Sequence, residues 1–169
     1  AIVTRVIVED GRATGVEYIQ NEQTHTVHTD GDVILSAGAF KSPQILMLSG
    51  IGPADHLAEF NIPVVADLPG VGENLQDHPD AVLYFRANDD HQTPDENPEW
   101  YTGEFIRTQP DLTSPDVQFH VLSCYTRAGK TGFIIAPCVL RPHSTGTVRL
   151  CSDSPFDAPL IDQNYLAEP

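Results

Sequence analysis

The sequence predicts an α/β (α+β) fold: a β-meander and a buried strand leading into helix, then an antiparallel sheet. Three observations predict it. Short β-branched runs recur over residues 2–8, 14–19 and 24–28, separated by turn residues. Residues 32–37 (DVILSA) are almost wholly apolar and run into a Ser-Pro helix signal. Beyond residue 80, strand-length stretches recur, most with period-two alternation.

Taken in order, the first strand stops at Glu9-Asp10-Gly11, a hairpin-type turn signal. Asp30-Gly31 turns the chain again after the third strand. The run 32–37 suits a strand buried on both faces, because an exposed face would call for polar residues at alternate positions. It ends at Gly38. Ser42 is a suitable N-cap and Pro43 fits a first helical position, so a helix is expected to start near Pro43 and to end in left-handed backbone at Gly50. A second short helix is expected over residues 54–60, starting at Pro53, with Leu57, Ala58 and Phe60 as its packing face. Residues 68–79 (LPGVGENLQDHP) read as an ordered loop. Residues 81–86, 116–123, 132–141 and 146–151 read as strands. The boundary therefore falls near residue 80, and segments 117–122, 133–140 and 147–151 are expected in one sheet.

Composition narrows the function classes. A formal charge of −15 with nine basic residues argues against nucleic-acid binding, which requires cationic surface to meet phosphates. The acidity reads as a solvated surface, with attraction of a cationic substrate as the alternative. No apolar run reaches the roughly eighteen residues of a membrane span, and none reads as a secretory leader. Cys124, Cys138 and Cys151 are widely spaced, without a CxxC pair, and are expected as buried free thiols in a reducing cytoplasm. No metal site is expected.

The end of the apolar run carries readable chemistry. An Ala-Gly strand end permits close backbone approach to a ligand, and a following helix N-terminus suits an anion such as pyrophosphate. The same glycines serve equally as turn formers. The longer run settles which reading to follow. Gly38-Ala39-Phe40-Lys41-Ser42-Pro43-Gln44-Ile45-Leu46-Met47-Leu48-Ser49-Gly50-Ile51-Gly52 resembles the second motif of the glucose–methanol–choline (GMC) oxidoreductases. Val16-Glu17-Tyr18 before it, and Asp67-Leu68-Pro69-Gly70-Val71-Gly72 and Asn74-Leu75-Gln76-Asp77-His78 after it, agree. Arg141-Pro142, Arg149-Leu150 and Pro159-Leu160-Ile161-Asp162 resemble the start of that family's C-terminal region.

The resemblance implies flavin adenine dinucleotide (FAD) as cofactor and oxidation of a small-molecule alcohol by hydride transfer to the flavin, of choline-dehydrogenase-like texture. Residues 1–80 then belong to an FAD-binding domain and residues 81–169 to a substrate-binding domain. Val3 matches the residue whose backbone contacts the adenine end, and Ala37 and Gly38 the turn beside the ADP portion. Asn74 and His78 fall in the loop on the flavin side, and His120 is a candidate for lining the substrate pocket. No catalytic residue is expected in this chain. The family's Gly-x-Gly-x-x-Gly fingerprint is not among its residues, and the chain stops before the segment that carries the catalytic histidine. Residues 87–115 are shorter than the family's usual insertion. The chain is therefore expected to be an internal piece, inactive alone; a noncatalytic remnant, or a lyase on the same fold, is the alternative. His78 and His120 have ordinary structural roles as competing readings. His25, His28, His56, His91 and His143 are expected at the surface, Asp116 and Asp162 are not expected as an acid–base pair, and Trp100 and Tyr101 are expected in packing.

Overall fold

Alternating β-branched residues and two tight turns build the first sheet. The computed structural model describes residues 1–86, 88, 101–125 and 131–168, leaving aside the side chains of 101, 123–125 and 131. Strands β1 (Ile2–Glu9), β2 (Arg12–Gln20) and β3 (Gln23–His28) pair antiparallel in the order β1-β2-β3. The first turn places Asp10 at φ 49° and Gly11 at φ 77°; the second places Asn21 at 51° and Glu22 at 63°. Two successive left-handed residues give the loop a twist that matches the strands it joins. Only the first carries the glycine that advertises such a turn.

The run 32–37 departs from expectation. It forms no strand, no described strand pairs with it, and Ile34 is 83 % exposed. An apolar run encodes a preference for burial, yet a strand buried on both faces requires paired neighbours on its edges, and within this run only Val33 and Leu35 are half-buried.

The helix also starts earlier than expected. α1 spans Gly38–Leu48, so Pro43 lies within its second turn. Proline forfeits the bond to the Ala39 carbonyl but keeps a helical φ, so the helix continues through it. Ser42 is not the N-cap; Ala37 is, and its N–H donates to Ser42 Oγ at 3.0 Å. The C-terminus follows expectation: Gly50 has φ 78° and donates its N–H to the Met47 carbonyl at 2.9 Å. Strands β4 (Ile51–Gly52) and β5 (Ala66–Asp67) then pair in parallel around α2 (Ala54–Glu59). The N–H of Ala54 donates to Asp67 Oδ1 at 3.0 Å, tying the helix start to the far strand.

Six further strands are β6 (Leu83–Arg86), β7 (Tyr101–Ile106), β8 (Val117–Tyr125), β9 (Thr131–Val139), β10 (Thr147–Arg149) and β11 (Leu160–Asp162). The chain divides into two compact units, Ala1–Gln76 with Ser144–Pro169, and Asp77–His143. Residues 144–169, expected beyond the boundary, thus cluster with the first unit. The reason is nonlocal pairing. β10 pairs with β11 rather than with the sheet of β8 and β9. Gly146 exchanges both backbone bonds with Leu75, at 3.0 and 2.7 Å, and the Val148 N–H donates to the Gly72 carbonyl at 2.7 Å.

Met47, Leu57 and Leu150 form the core of the first unit, with Leu48, Phe60, Ile62 and Val71 packed against them. Burying each of the three stabilises the unit by about 1.5–3 kcal/mol. Polar ties close the same unit. The Val6 N–H donates to Ser49 Oγ at 2.8 Å, and the Ser49 hydroxyl donates to the Ile45 carbonyl at 2.6 Å. His56, expected at the surface, instead accepts the Leu150 N–H on Nε2 at 2.9 Å, with its side chain 13 % exposed. The second unit is one antiparallel sheet in the order β6-β9-β8-β7.

Candidate functional site

In the first unit, α1 and the loop after β5 build a site from backbone. Gly38 sits at φ 83°, and a Cβ there would meet no atom within 4 Å. The glycine therefore lets the chain turn into the helix and leaves open space beside it. The first N–H groups of a helix have no partner within it and carry a partial positive charge. No acidic side chain occupies this first turn. A cavity of about 450 Å³ opens here, lined by Ala39, Pro43, Gly72, Asn74 and Gln76 among others.

The loop wall is held rigidly. Asn74 and Gly72 take left-handed backbone, at φ 57° and 78°. The Arg149 guanidinium donates to the Gly72 carbonyl at 3.1 Å and pairs with the Glu73 carboxylate. This clamp escaped sequence reading, because nothing near Arg149 in the chain points to residues 72 and 73.

The candidate residues separate into groups. Ala37 and Gly38 stand at the start of α1, and Asn74 lines the adjoining cavity. Val3 is half-buried in β1 opposite Tyr18, where the ladder shifts register before Arg5. His78 and His120 belong to the second unit. His78 is exposed, and its backbone N–H donates to Asp77 Oδ1 at 2.9 Å. Asp116 lies in the second unit and Asp162 in the first; the Thr108 hydroxyl and N–H hold the Asp116 carboxyl below its ordinary range. His25 stacks on Tyr18 at 5.2 Å, while His28 and His143 are exposed. His91, Trp100 and the side chains of Tyr101 and Cys124 lie outside the described residues. Cys151, expected buried, is exposed, because Leu150 beside it takes the core position.

A second constellation lies within the second unit. His120 pairs across the sheet with Ala136, and Asp80 bridges to Cys138. Residues paired across antiparallel strands point to one face, as do residues two apart on one strand. Asp80, His120 and Cys138 therefore share a face, and their ligand atoms all lie within 4.8 Å of one another. Cys138 is 2 % exposed. Burial first, then a hydrogen bond to the Asp80 carboxylate and the charges of Asp80 and Asp77, pushes its thiol pKa up to about 11. No sequence motif announces this cluster; only strand register makes it.

Comparison with known proteins gives these geometries a context. Residues 1–80 match the sequence model of the GMC oxidoreductases. Human mitochondrial choline dehydrogenase is 39 % identical over 194 residues, which cover 98 % of this chain and 33 % of that protein. An alcohol dehydrogenase (acceptor) of Pseudomonas putida is 39 % identical over 202 residues, covering 100 % of this chain and 36 % of its own length. Formate oxidase of Aspergillus oryzae RIB40, in a structure concerned with FAD modification, superposes with a TM-score of 0.86 at 23 % identity, over 99 % of this chain and 39 % of that one. That likeness speaks for a shared fold. The chain spans about a third of the length of the curated relatives it matches. No helix among the described residues is long and apolar enough to cross a membrane. The motif at residues 38–52 lies inside the matched region, and identity to these relatives extends along nearly the whole sequence: the chain is similar to the GMC oxidoreductases.

Proposed function

We propose that this chain forms part of an FAD-dependent oxidoreductase acting on the CH–OH group of a small alcohol. The observation that carries the reading is the open start of α1 beside the Asn74 cavity, inside the region that matches the family. The fit to a dinucleotide is favourable. Gly38 leaves room for close approach, the helix N-terminus favours an anionic group, and no carboxylate in the first turn repels one. Ala37 and Gly38 flank the ADP portion, the Val3 backbone meets the adenine end, and Asn74 walls the flavin side, with His78 on the same loop. His120 lines the substrate side. FAD, when bound, supplies the hydride acceptor.

Residues 1–80 then contribute to the cofactor-binding domain, and residues 81–169 to the substrate-binding one, with 144–169 packed into the first unit. This chain positions the cofactor; the base that takes the alcohol proton lies outside it. A cytoplasmic site accords with the free thiols Cys138 and Cys151. Choline is the first substrate to try, since the human relative carries its name.

The test uses the natural polypeptide that carries these residues. It should purify yellow and reduce a dye in the presence of choline or a simple primary alcohol. Gly38→Val should lower its FAD affinity by roughly tenfold or more, because strain at a left-handed position costs about 1–3 kcal/mol. The 169-residue chain alone should show no saturable FAD binding at micromolar concentration. A colourless natural polypeptide, unsaturated by excess FAD and silent with alcohols, would overturn the proposal in favour of a noncatalytic remnant. Retained flavin with cleavage of a substrate and no dye reduction would favour a lyase.

A further inference from the structure

We propose that Asp80, His120 and Cys138 form a binding site for a zinc-class transition metal ion. The site needs three donors of suitable chemistry brought together from separate segments, and the sheet does this by register. Cys138 on β9 is the diagonal neighbour of His120 on β8, because His120 pairs with Ala136 two residues earlier. Asp80 bridges directly to Cys138 from the other side. One sulfur, one imidazole nitrogen and one carboxylate oxygen thus converge on one face, all within 4.8 Å of one another. Ligand atoms around a tetrahedral zinc stand about 3–4 Å apart, so small rotations of the side chains close the distance.

The neighbours favour occupancy. Gly103 and Ala136 pair with His120 on its two flanking strands, and neither presents a bulky side chain against the imidazole. Cys138 is buried, whereas Asp80 is exposed. The cluster therefore has a covered base and an open mouth, through which an ion can enter and a water can complete the coordination. Asp77 adds a second carboxylate close enough for its charge to be felt at Cys138. A divalent cation offsets this concentration of negative charge. Sulfur and nitrogen donors select zinc or cobalt over magnesium and calcium, which prefer oxygen alone. The competing account is a hydrogen-bonded cluster that only fastens the segment before β6 to the sheet.

Cobalt(II) distinguishes the two. Titrated into the natural polypeptide that carries these residues, it should bind saturably with a thiolate-to-metal charge-transfer band and the visible bands of tetrahedral cobalt, and zinc should abolish both. Cys138→Ser should remove the charge-transfer band, while Cys124→Ser and Cys151→Ser should keep it. His120→Gln and Asp80→Asn should each weaken binding at least tenfold. Loss of an outer-shell partner alone costs about 10–100-fold, and loss of a direct ligand at least as much. Should Cys138→Ser fail to fold, the Asp80→Asn arm decides, since Asp80 lies at the surface. Absence of a saturable cobalt spectrum, or a band that survives Cys138→Ser or follows Cys151, overturns the proposal. The readout is spectroscopic and independent of the flavin reading.

Discussion

Met47, Leu57 and Leu150 come from three separate segments of the first unit and are at most 1 % exposed, whereas Leu83, Tyr84, Phe85 and Phe105 in the second are between 41 and 74 % exposed. The first unit closes on itself by joining distant stretches: the helix pair meets the strand at 147–149, and Arg149, His56 and Ser49 each fasten a backbone group far away in sequence. The second unit rests on the ladders of one sheet, with apolar side chains left in contact with water. Two kinds of fragility follow. A single truncation in the first unit should be felt as a cavity that cannot collapse. The same truncation in the second removes atoms that were already solvated.

Leu57→Ala tests this most directly. Removing a fully buried leucine should destabilise the first unit by about 2–5 kcal/mol, from lost transfer energy and an unfilled cavity. Leu83→Ala, at a residue 50 % exposed, should cost less than about 1 kcal/mol. Urea unfolding followed by circular dichroism and by hydrogen exchange would assign each loss to its unit. Equal losses from the two substitutions would break the comparison.

A smaller effect separates backbone strain from crowding. Gly72 and Gly11 share nearly the same left-handed φ, 78° and 77°. A Cβ at Gly72 would lie 2.2 Å from the Val148 carbonyl oxygen, whereas one at Gly11 would meet nothing within 4 Å. Gly11→Ala should therefore cost only the conformational penalty, about 1–2 kcal/mol. Gly72→Ala should cost more than Gly11→Ala, within about 1–3 kcal/mol, because the loop must also withdraw from the closing strand. Thermal unfolding of the two variants measures the difference. Identical shifts would mean that the 72–148 contact yields freely.

The contrast also bears on what the sequence could reveal. Signals that act locally came through. Asp10-Gly11 marked the first hairpin, Gly50 the end of α1, and the spacing from residue 38 to 52 the likeness to the GMC oxidoreductases. Signals that depend on a distant partner did not. Residues 32–37 are apolar enough for a buried strand, but no described strand pairs with them, and Ile34 stands in solvent. The segment at 147–149 reads as a strand, yet its sheet is decided by Leu160–Asp162. His56 looks like a surface histidine until the Leu150 N–H arrives. Of the candidate site, the glycine turn at 37–38 and the loop at 74 were legible, whereas the convergence of Asp80, His120 and Cys138 needs the register of the sheet.

The smallest expected effect lies on the outer hairpin of the first unit, where ties are solvated. Arg5 and Glu17 face each other across β1 and β2, with Nη2–Oε2 at 3.1 Å and Nε–Oε1 at 3.3 Å. The Thr4 hydroxyl donates to the same carboxylate at 2.9 Å. The hydrogen bond from Arg5, then that from Thr4, holds the Glu17 pKa below its ordinary 4.5, with partial burial opposing. A carboxylate whose folded pKa is depressed stabilises the fold above its unfolded pKa and loses that contribution as pH falls through the folded value. The window therefore lies at and below 4.5. Arg5 is 54 % exposed, so solvent screens the pair, and its contribution should stay under about 1 kcal/mol. Glu17→Gln should lower stability slightly near neutrality, and the gap from the parent chain should close as acidification below 4.5 carries the pH through the depressed folded pKa. It should also narrow as salt shortens the screening length to about 10 Å near 0.1 M and less above it. Urea midpoints across pH and salt would measure both. A gap that persists in acid would place the effect in side-chain packing instead of charge, and would make this hairpin behave like the buried core beside it.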